Sequence, residues 1–147
     1  MKKSFKKSIL LVLIQIVCGI FLFAEDAVEE KKLTVEITNV TSEDGQIILA
    51  IYNSSDNYDK RIAFQEVKIK PETDIVRFET SVPEGEYLVM LVHDINNNGK
   101  LDTSLIGMPK EPVGLSNYDG KGIPGKFKKH KFSVNENTEI IIPLKKI

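Results

Sequence analysis

Short segments in which apolar and polar residues alternate constrain the fold of this 147-residue chain more than any other feature. Leu33, Val35 and Ile37 alternate with polar residues, and the same spacing of two recurs from Ile47 to Ile51. Such alternation places every second side chain on one face of a strand. Turn residues separate the segments at intervals of roughly 8–12 residues, as in β-sandwiches. We therefore predict an all-β fold, a single antiparallel β-sandwich of about seven strands with one long polar loop.

The inward-facing residues of these strands form the predicted core. The run 87–92 is apolar without interruption, which is typical of a strand buried on both faces. A helix within Ser54–Glu66 stays open, and Pro143 favours an edge position or a bulge for the last strand. The strands are predicted at 33–38, 47–51, 61–70, 74–81, 87–92, 129–134 and 139–144. The predicted core residues are Leu33, Val35, Ile37, Leu49, Ile51, Val89, Leu91 and Phe132.

The first 24 residues are typical of a bacterial secretory signal peptide. Four lysines precede an uncharged run from Ile9 to Phe23, and Ala24 provides a small residue before two acids. The run is shorter than the roughly 20 apolar residues that span a bilayer. We therefore expect cleavage after Ala24, export to the periplasm or the extracellular space, and no membrane span after cleavage. An uncleaved anchor and a lipoprotein acylated at Cys18 are the alternatives.

The composition of the mature chain excludes several classes of protein. Removing the 24-residue signal and its four lysines leaves 123 residues, a formal charge of −5 and no cysteine. This charge argues against a nucleic-acid partner, and the absence of thiols excludes disulfide scaffolds and cysteine-based chemistry. Residues 25–32 are rich in charge and are predicted to form a solvated leader. Residues 33–147 are predicted to form the single β-sandwich domain.

The segment from Asp94 to Tyr118 interrupts the strand pattern, and its first part is similar to an EF-hand calcium loop. Oxygen-bearing side chains fall at loop positions one, three, five and nine, and Gly99 falls at position six. A hard cation needs several such oxygens at about 2.3–2.6 Å. Position twelve is Leu105 instead of a bidentate Glu, so we expect modest affinity. The predicted calcium ligands are Asp94, Asn96, Asn98, Lys100 through its carbonyl, Asp102 and, as an additional ligand, Glu111. The alternative is a polar turn without metal, because Asn-Asn-Asn-Gly favours left-handed backbone.

Three motifs in a fixed order, with two flanking ones, resemble a known bacterial family. They are His93-Asp94-x-Asn96-x-Asn98-Gly99-Lys100-Leu101-Asp102, Gly107-x-Pro109-Lys110-Glu111 and Gly114-x-Ser116-Asn117, flanked by Pro83-x-Gly85-x-Tyr87 and Pro124-x-x-Phe127. Over roughly residues 33–144 the chain resembles the family called domain of unknown function 2141. The resemblance implies a small exported protein with a β-sandwich and no established activity. The Pro-x-Gly-x-Tyr strand start is also similar to transthyretin-like modules such as the carboxypeptidase regulatory domain.

Two further groups of residues have both a functional and a structural interpretation. His93 is suited to act as a general base or metal ligand, or it fixes the start of the loop. Residues Lys126–Lys131 mix basic and aromatic side chains. Their functional interpretation is binding of a phosphate or an anionic lipid surface, and their structural interpretation is a solvated strand edge. We favour the structural interpretation of both groups.

Together these observations predict an exported, noncatalytic β-sandwich module of unknown physiological role that binds one calcium ion. Calcium is the predicted cofactor, and a cell-surface protein or glycan is the expected class of partner. The alternative is a small exported hydrolase that uses the same loop region, although Ser116 lies in no nucleophile-elbow motif.

Overall fold

Strands dominate the part of the chain that the computed structural model describes, which is residues 29–72, 74–121 and 124–146. The predicted signal peptide, and residues 25–28 of the predicted leader, lie outside these residues. Neither described helix is long and apolar enough to cross a membrane. The strands are β1 (Glu30–Thr38), β2 (Gln46–Tyr52), β3 (Gln65–Ile69), β4 (Val76–Pro83), β5 (Gly85–Asp94), β6 (Val113–Leu115), β7 (Phe132–Val134) and β8 (Thr138–Pro143), and the helices are α1 (Ser55–Lys60) and α2 (Phe127–His130).

The strands form two sheets, which confirms the predicted all-β sandwich. The first sheet has the order β4-β1-β8, and the second has the order β3-β2-β5-β6, with β7 also paired to β5. One pair departs from the predicted antiparallel arrangement, because β1 and β8 run parallel. β7 ends at Val134, which pairs with Gly85 at the start of β5. The start of β1 lies at the same end of the sandwich, because Glu30 pairs with Pro83. β8 therefore enters the first sheet beside β1 and in the same direction.

The core lies between the two sheets and follows the predicted alternation. Seven of the eight predicted core residues are fully buried, and Phe132 is half-buried and packs against them. β8 is an edge strand of its sheet, which confirms the edge position that Pro143 predicted. The burial of apolar surface stabilises a fold by about 25 cal/mol per Å², and this is the main contribution that holds such sheets together.

A second, smaller apolar cluster covers the outer face of the second sheet. It contains Ala50, Tyr52, Tyr58, Leu88, Leu115 and Phe127. α1 contributes Tyr58, whose ring meets that of Tyr52 edge to face at 5.3 Å between centroids, and α2 contributes Phe127. Val89 and Leu91 point into the sandwich while Leu88 points into this cluster, so β5 is buried on both faces as predicted.

Several local elements differ from the prediction. β1 begins at Glu30, so strand structure already starts within the predicted leader 25–32. Residues 55–60 form α1, which lies within Ser54–Glu66, where the sequence left a helix open. Ser54 caps this helix, since its Oγ accepts the N–H of Asn57 at 3.2 Å. Residues 127–130 form α2, so the strand predicted at 129–134 shortens to β7. β6 lies within the long polar loop, which is therefore shorter than predicted.

Candidate functional site

Asp94 is the last residue of β5, is fully buried and begins the predicted calcium loop. Its Oδ2 accepts hydrogen bonds from Gln46 Nε2 and from the N–H of Gly99, both at 2.8 Å, and its Oδ1 accepts the N–H of Asn98 at 3.0 Å. Gln46 lies opposite Asp94 in the β2–β5 ladder, and the other two donors come from the loop. The Asp94 carboxylate therefore joins the sheet to the loop that follows it.

The hydrogen bonds also determine the charge of Asp94. Burial raises the pKa of its carboxyl group, but the donors from Gln46, Gly99 and Asn98 outweigh burial, and the net pKa is lowered. Hydrogen bonds to an ionised carboxylate favour the charged form. Asp94 is therefore a carboxylate at neutral pH, as a metal ligand must be.

The amide side chains of the loop form a short ladder. Asn96 Oδ1 accepts the N–H of Asn98 at 3.1 Å, and Asn98 Oδ1 accepts the N–H of Lys100 at 3.0 Å. The Nδ2 groups of Asn96 and Asn98 both donate to Asp102 Oδ2, at 2.7 and 3.1 Å. The structure thus brings Asn96, Asn98 and Asp102 together, and the N–H of Asn98 joins them to Asp94.

Glu111, which the sequence suggested as an additional ligand, holds the two ends of the loop. It is buried, its Oε1 accepts the N–H of Ile95 at 3.0 Å, and its Oε2 accepts the N–H of Asp102 at 3.1 Å. The N–H of Lys110 also donates to the Asp102 carbonyl at 2.8 Å. Glu111 therefore closes residues 95–102 into a compact loop, a role that sequence spacing did not predict.

The donor chemistry of the loop fits a hard cation that prefers oxygen. Two carboxylates, two amide oxygens and a backbone carbonyl are ligand types that calcium uses. No group of three or more His, Cys, Asp or Glu side chains is arranged to hold a metal within the described ranges. An ion here would depend on the amide and carbonyl oxygens, and Asp102 Oδ2 would exchange its two amide N–H donors for the ion.

His93 and Asp94 point to opposite faces of the sheet. His93 is fully buried in the sandwich, where its Nε2 donates to the Asp44 carbonyl at 3.0 Å. Its Nδ1 has no hydrogen-bond partner among the described residues. The His93 ring therefore holds the turn between β1 and β2 against the end of β5.

Ser116 and Asn117 connect the end of β6 to α2. The Ser116 hydroxyl accepts the N–H of Val89 at 3.1 Å and donates to the His130 carbonyl at 2.7 Å. Asn117 Nδ2 donates to the Lys131 carbonyl at 2.8 Å. The His130 ring is buried between the N–H of Gly125 and the Asn117 carbonyl. These contacts give part of the 126–131 segment a structural role, while Lys126, Lys128 and Lys129 are exposed.

Comparison with known families confirms the resemblance seen in the sequence. No curated protein and no solved structure matches the chain. The sequence model of one bacterial family matches residues 35–141, which include the whole of the Asp94–Asp102 loop, Glu111 and the Ser116 connection. The chain therefore belongs to the family described as uncharacterized protein conserved in bacteria (DUF2141).

Proposed function

We propose that this protein is an exported, noncatalytic β-sandwich module that binds one calcium ion through the Asp94–Asp102 loop. The observation that carries the proposal is the Asp94 carboxylate, which is ionised and buried at the end of a rigid strand, at the first position of the loop. A ligand that is already held in place loses little conformational freedom when the ion binds.

Each loop residue has a distinct role in this proposal. Asp94 and Asp102 supply the negative charge, Asn96 and Asn98 supply amide oxygens, and Lys100 supplies its backbone carbonyl. Glu111 acts from outside by holding the N–H groups of Ile95 and Asp102. The bound ion would supply a cross-link between loop positions that only hydrogen bonds join otherwise. Two carboxylates place the expected affinity nearer the roughly 10⁻⁴–10⁻³ M of extracellular modules than that of cytosolic sensors.

The charge order of the first 24 residues supports the exported location, where calcium at such concentrations is available. The intact mass of the protein recovered from outside the cytoplasm tests this part of the proposal. The expected mass is that of a chain that begins at Glu25. A mass that retains the first 23 residues, or a lipid on Cys18, would contradict soluble export.

Calorimetric titration with calcium tests the site itself, together with the melting temperature in millimolar calcium and in chelator. At a calcium concentration 100 times the dissociation constant, binding stabilises the fold by about 2.7 kcal/mol. We expect Asp102→Asn to weaken or abolish the calcium-dependent shift, and Lys100→Ala to preserve it because only the Lys100 backbone takes part. Magnesium should give a smaller shift, since it dehydrates reluctantly and requires stricter octahedral geometry.

Asp119→Asn is the matched control, because Asp119 is an exposed aspartate in a separate loop. It should leave the calcium response unchanged. If the unmodified protein shows no calcium-dependent shift and no heat of binding at millimolar calcium, the loop is a polar turn. The proposed function would then reduce to an exported β-domain.

A further inference from the structure

An apolar cleft of about 290 Å³ opens on the outer face of the second sheet, and Leu101 of the calcium loop is one of the residues that line it. Its floor consists of β5 and β6 residues such as Met90, Val92 and Leu115. Residues 106–109 form one wall, and Tyr58 and Tyr118 contribute aromatic rings. The volume is about twice that of a roughly 150 Å³ apolar cavity that admits benzene. Largely apolar clefts with a few polar groups at the edge are the usual form of small-molecule sites.

Arg61 is a charged residue that lines this cleft. It follows α1 in a left-handed conformation, with φ of 59°, and its guanidinium lies 4.8 Å from the centre of the Tyr58 ring. Among the described residues, no carboxylate forms an ion pair with Arg61. Arg77, on the opposite sheet, pairs with both Glu36 and Glu139. Arg61 also interacts with the Tyr52 hydroxyl, but it forms no ion pair with a described carboxylate. Its guanidinium can therefore pair with an added carboxylate, which guanidinium groups bind in a bidentate geometry.

The hairpin that forms one wall exposes apolar surface at the mouth of the cleft. The N–H of Gly107 donates to the Ser104 carbonyl, and the N–H of Ser104 donates to the Met108 carbonyl, so the hairpin is held by its own backbone. At its tip, Leu105 is 108% exposed and Ile106 is 86% exposed. Ile106 lines the cleft, whereas Leu105 does not. A molecule in the cleft would remove the Ile106 side chain from water.

We propose that this cleft binds a small amphipathic acid, whose apolar chain lies in the cleft against Ile106 and whose carboxylate pairs with Arg61. The apolar lining selects the chain, the cleft volume limits its length, and the guanidinium selects the acidic group. The cleft shares Leu101 with the calcium loop, but none of the proposed calcium ligands lines it, so Arg61→Gln and Asp102→Asn test the two sites separately.

Calorimetric titration of the exported protein with decanoate, below the concentration at which it forms micelles, tests the site. 1-Decanol serves as the uncharged ligand of equal chain length. Decanoate should bind roughly tenfold more tightly than 1-decanol, which corresponds to one charge-assisted hydrogen bond. Arg61→Gln should remove this preference and leave 1-decanol binding unchanged, whereas Arg61→Lys should retain much of it. Arg77→Gln removes the same charge from the opposite sheet and should have no effect.

Two neighbouring substitutions on the hairpin test where the chain lies. Ile106→Ser should weaken the binding of both ligands several-fold. Leu105→Ser, which removes a neighbouring exposed apolar side chain outside the cleft, should not. Equal losses from Ile106→Ser and Leu105→Ser would show nonspecific binding at the hairpin tip and would overturn the proposal. Absence of decanoate binding, or a decanoate preference that survives Arg61→Gln, would overturn it as well.

Discussion

Single polar side chains join separate strands in this protein, and Ser116 is the clearest example. β7 pairs with Gly85–Tyr87 at one end of β5, and β6 pairs with Met90–Val92 at the other. Ser116 fills the gap between them, since its N–H donates to the Val89 carbonyl and its Oγ accepts the Val89 N–H. A buried backbone group without a partner costs about 1–3 kcal/mol. The motif Gly114-x-Ser116-Asn117 thus has a structural explanation.

Tyr87 joins the start of β5 to the end of β4, because its hydroxyl donates to the Pro83 carbonyl at 2.8 Å. Burial, with a smaller effect from Glu30, raises the pKa of Tyr87. The folded protein therefore favours neutral Tyr87. Its contribution to stability is fully present below the unfolded pKa of about 10 and is lost as the pH rises through the higher folded pKa.

We predict that Tyr87→Phe lowers the free energy of unfolding by about 1 kcal/mol at pH 7, the usual value of one hydrogen bond. The variant should then lose less stability than the unmodified protein as the pH rises above about 10. Denaturant unfolding at pH 7 and at several alkaline values measures both effects. Lysine titration is common to both proteins and cancels in the difference. Parallel pH profiles would contradict the role of Tyr87.

At the scale of elements, sequence alternation predicts the strands that contribute most to the core. β1 and β2 are long enough for the period of two to be visible, and β5 is marked by its uninterrupted apolar run. The core residues predicted on these three strands all point inward. α1 has six residues, α2 has four and β6 has three, so none contains enough repeats for a periodic signal. Such short elements depend on tertiary contacts, here the packing of Tyr58 and Phe127 on the second sheet.

The candidate site was predictable only where its residues are close in sequence. The spacing of Asp94, Asn96, Asn98 and Asp102 identified the loop, and the structure joins them by hydrogen bonds. The closing role of Glu111 depends on a chain reversal after Asp102 that the spacing alone does not specify. The apolar cleft is built from segments far apart in the chain, between Tyr58 and Pro124, so no local motif identifies it.

We predict that Glu111→Gln loosens the loop, because an amide offers one acceptor oxygen where the carboxylate offers two. Either the N–H of Ile95 or that of Asp102 then loses its acceptor. Hydrogen exchange at these two amides should accelerate by about tenfold or more, as expected for the loss of a bond to a charged group. Glu136→Gln, on the exposed turn before β8, is the matched control. Unchanged exchange at both amides would refute the closing role.

The turn between β1 and β2 packs directly against the end of β5 at Gly45. Gly45 has φ of 72°, and a Cβ atom there would lie 2.0 Å from the Asp94 carbonyl oxygen. Gly107 has a similar φ of 79°, but a Cβ atom there would meet nothing within 4 Å. Gly107→Ala should therefore cost only about 1–2 kcal/mol for the left-handed backbone. We predict that Gly45→Ala lowers the stability of the fold clearly more than Gly107→Ala does, as measured by thermal unfolding. Equal losses of stability in the two variants would show that the turn can move away from β5.

At the scale of the whole molecule, the residues after β8 tie the two sheets together. The N–H of Leu144 donates to the Thr38 carbonyl of β1, and the Leu144 side chain is buried in the core between the sheets. Lys145 exchanges two backbone hydrogen bonds with Val113 of β6, at 2.8 and 2.9 Å. Its Nζ also donates to the Asp119 carbonyl at 2.7 Å. Leu144 and Lys145 thus connect the first sheet to the second sheet and to the loop after β6.

We predict that truncation after Pro143 lowers the free energy of unfolding by more than about 2 kcal/mol, because it removes the buried Leu144 side chain and opens both connections. Truncation after Lys145 keeps these contacts and should stay within about 0.5 kcal/mol of the full chain. Denaturant unfolding measures the stability of both truncated proteins. Hydrogen exchange at the Val113 amide should be faster only in the protein truncated after Pro143, because that protein lacks the Lys145 carbonyl that accepts this N–H. If both truncated proteins were equally stable, the sheets would be held by the core without the help of these residues. If Val113 exchanged faster while stability stayed the same, the tail would order β6 locally and would not contribute to the stability of the whole sandwich.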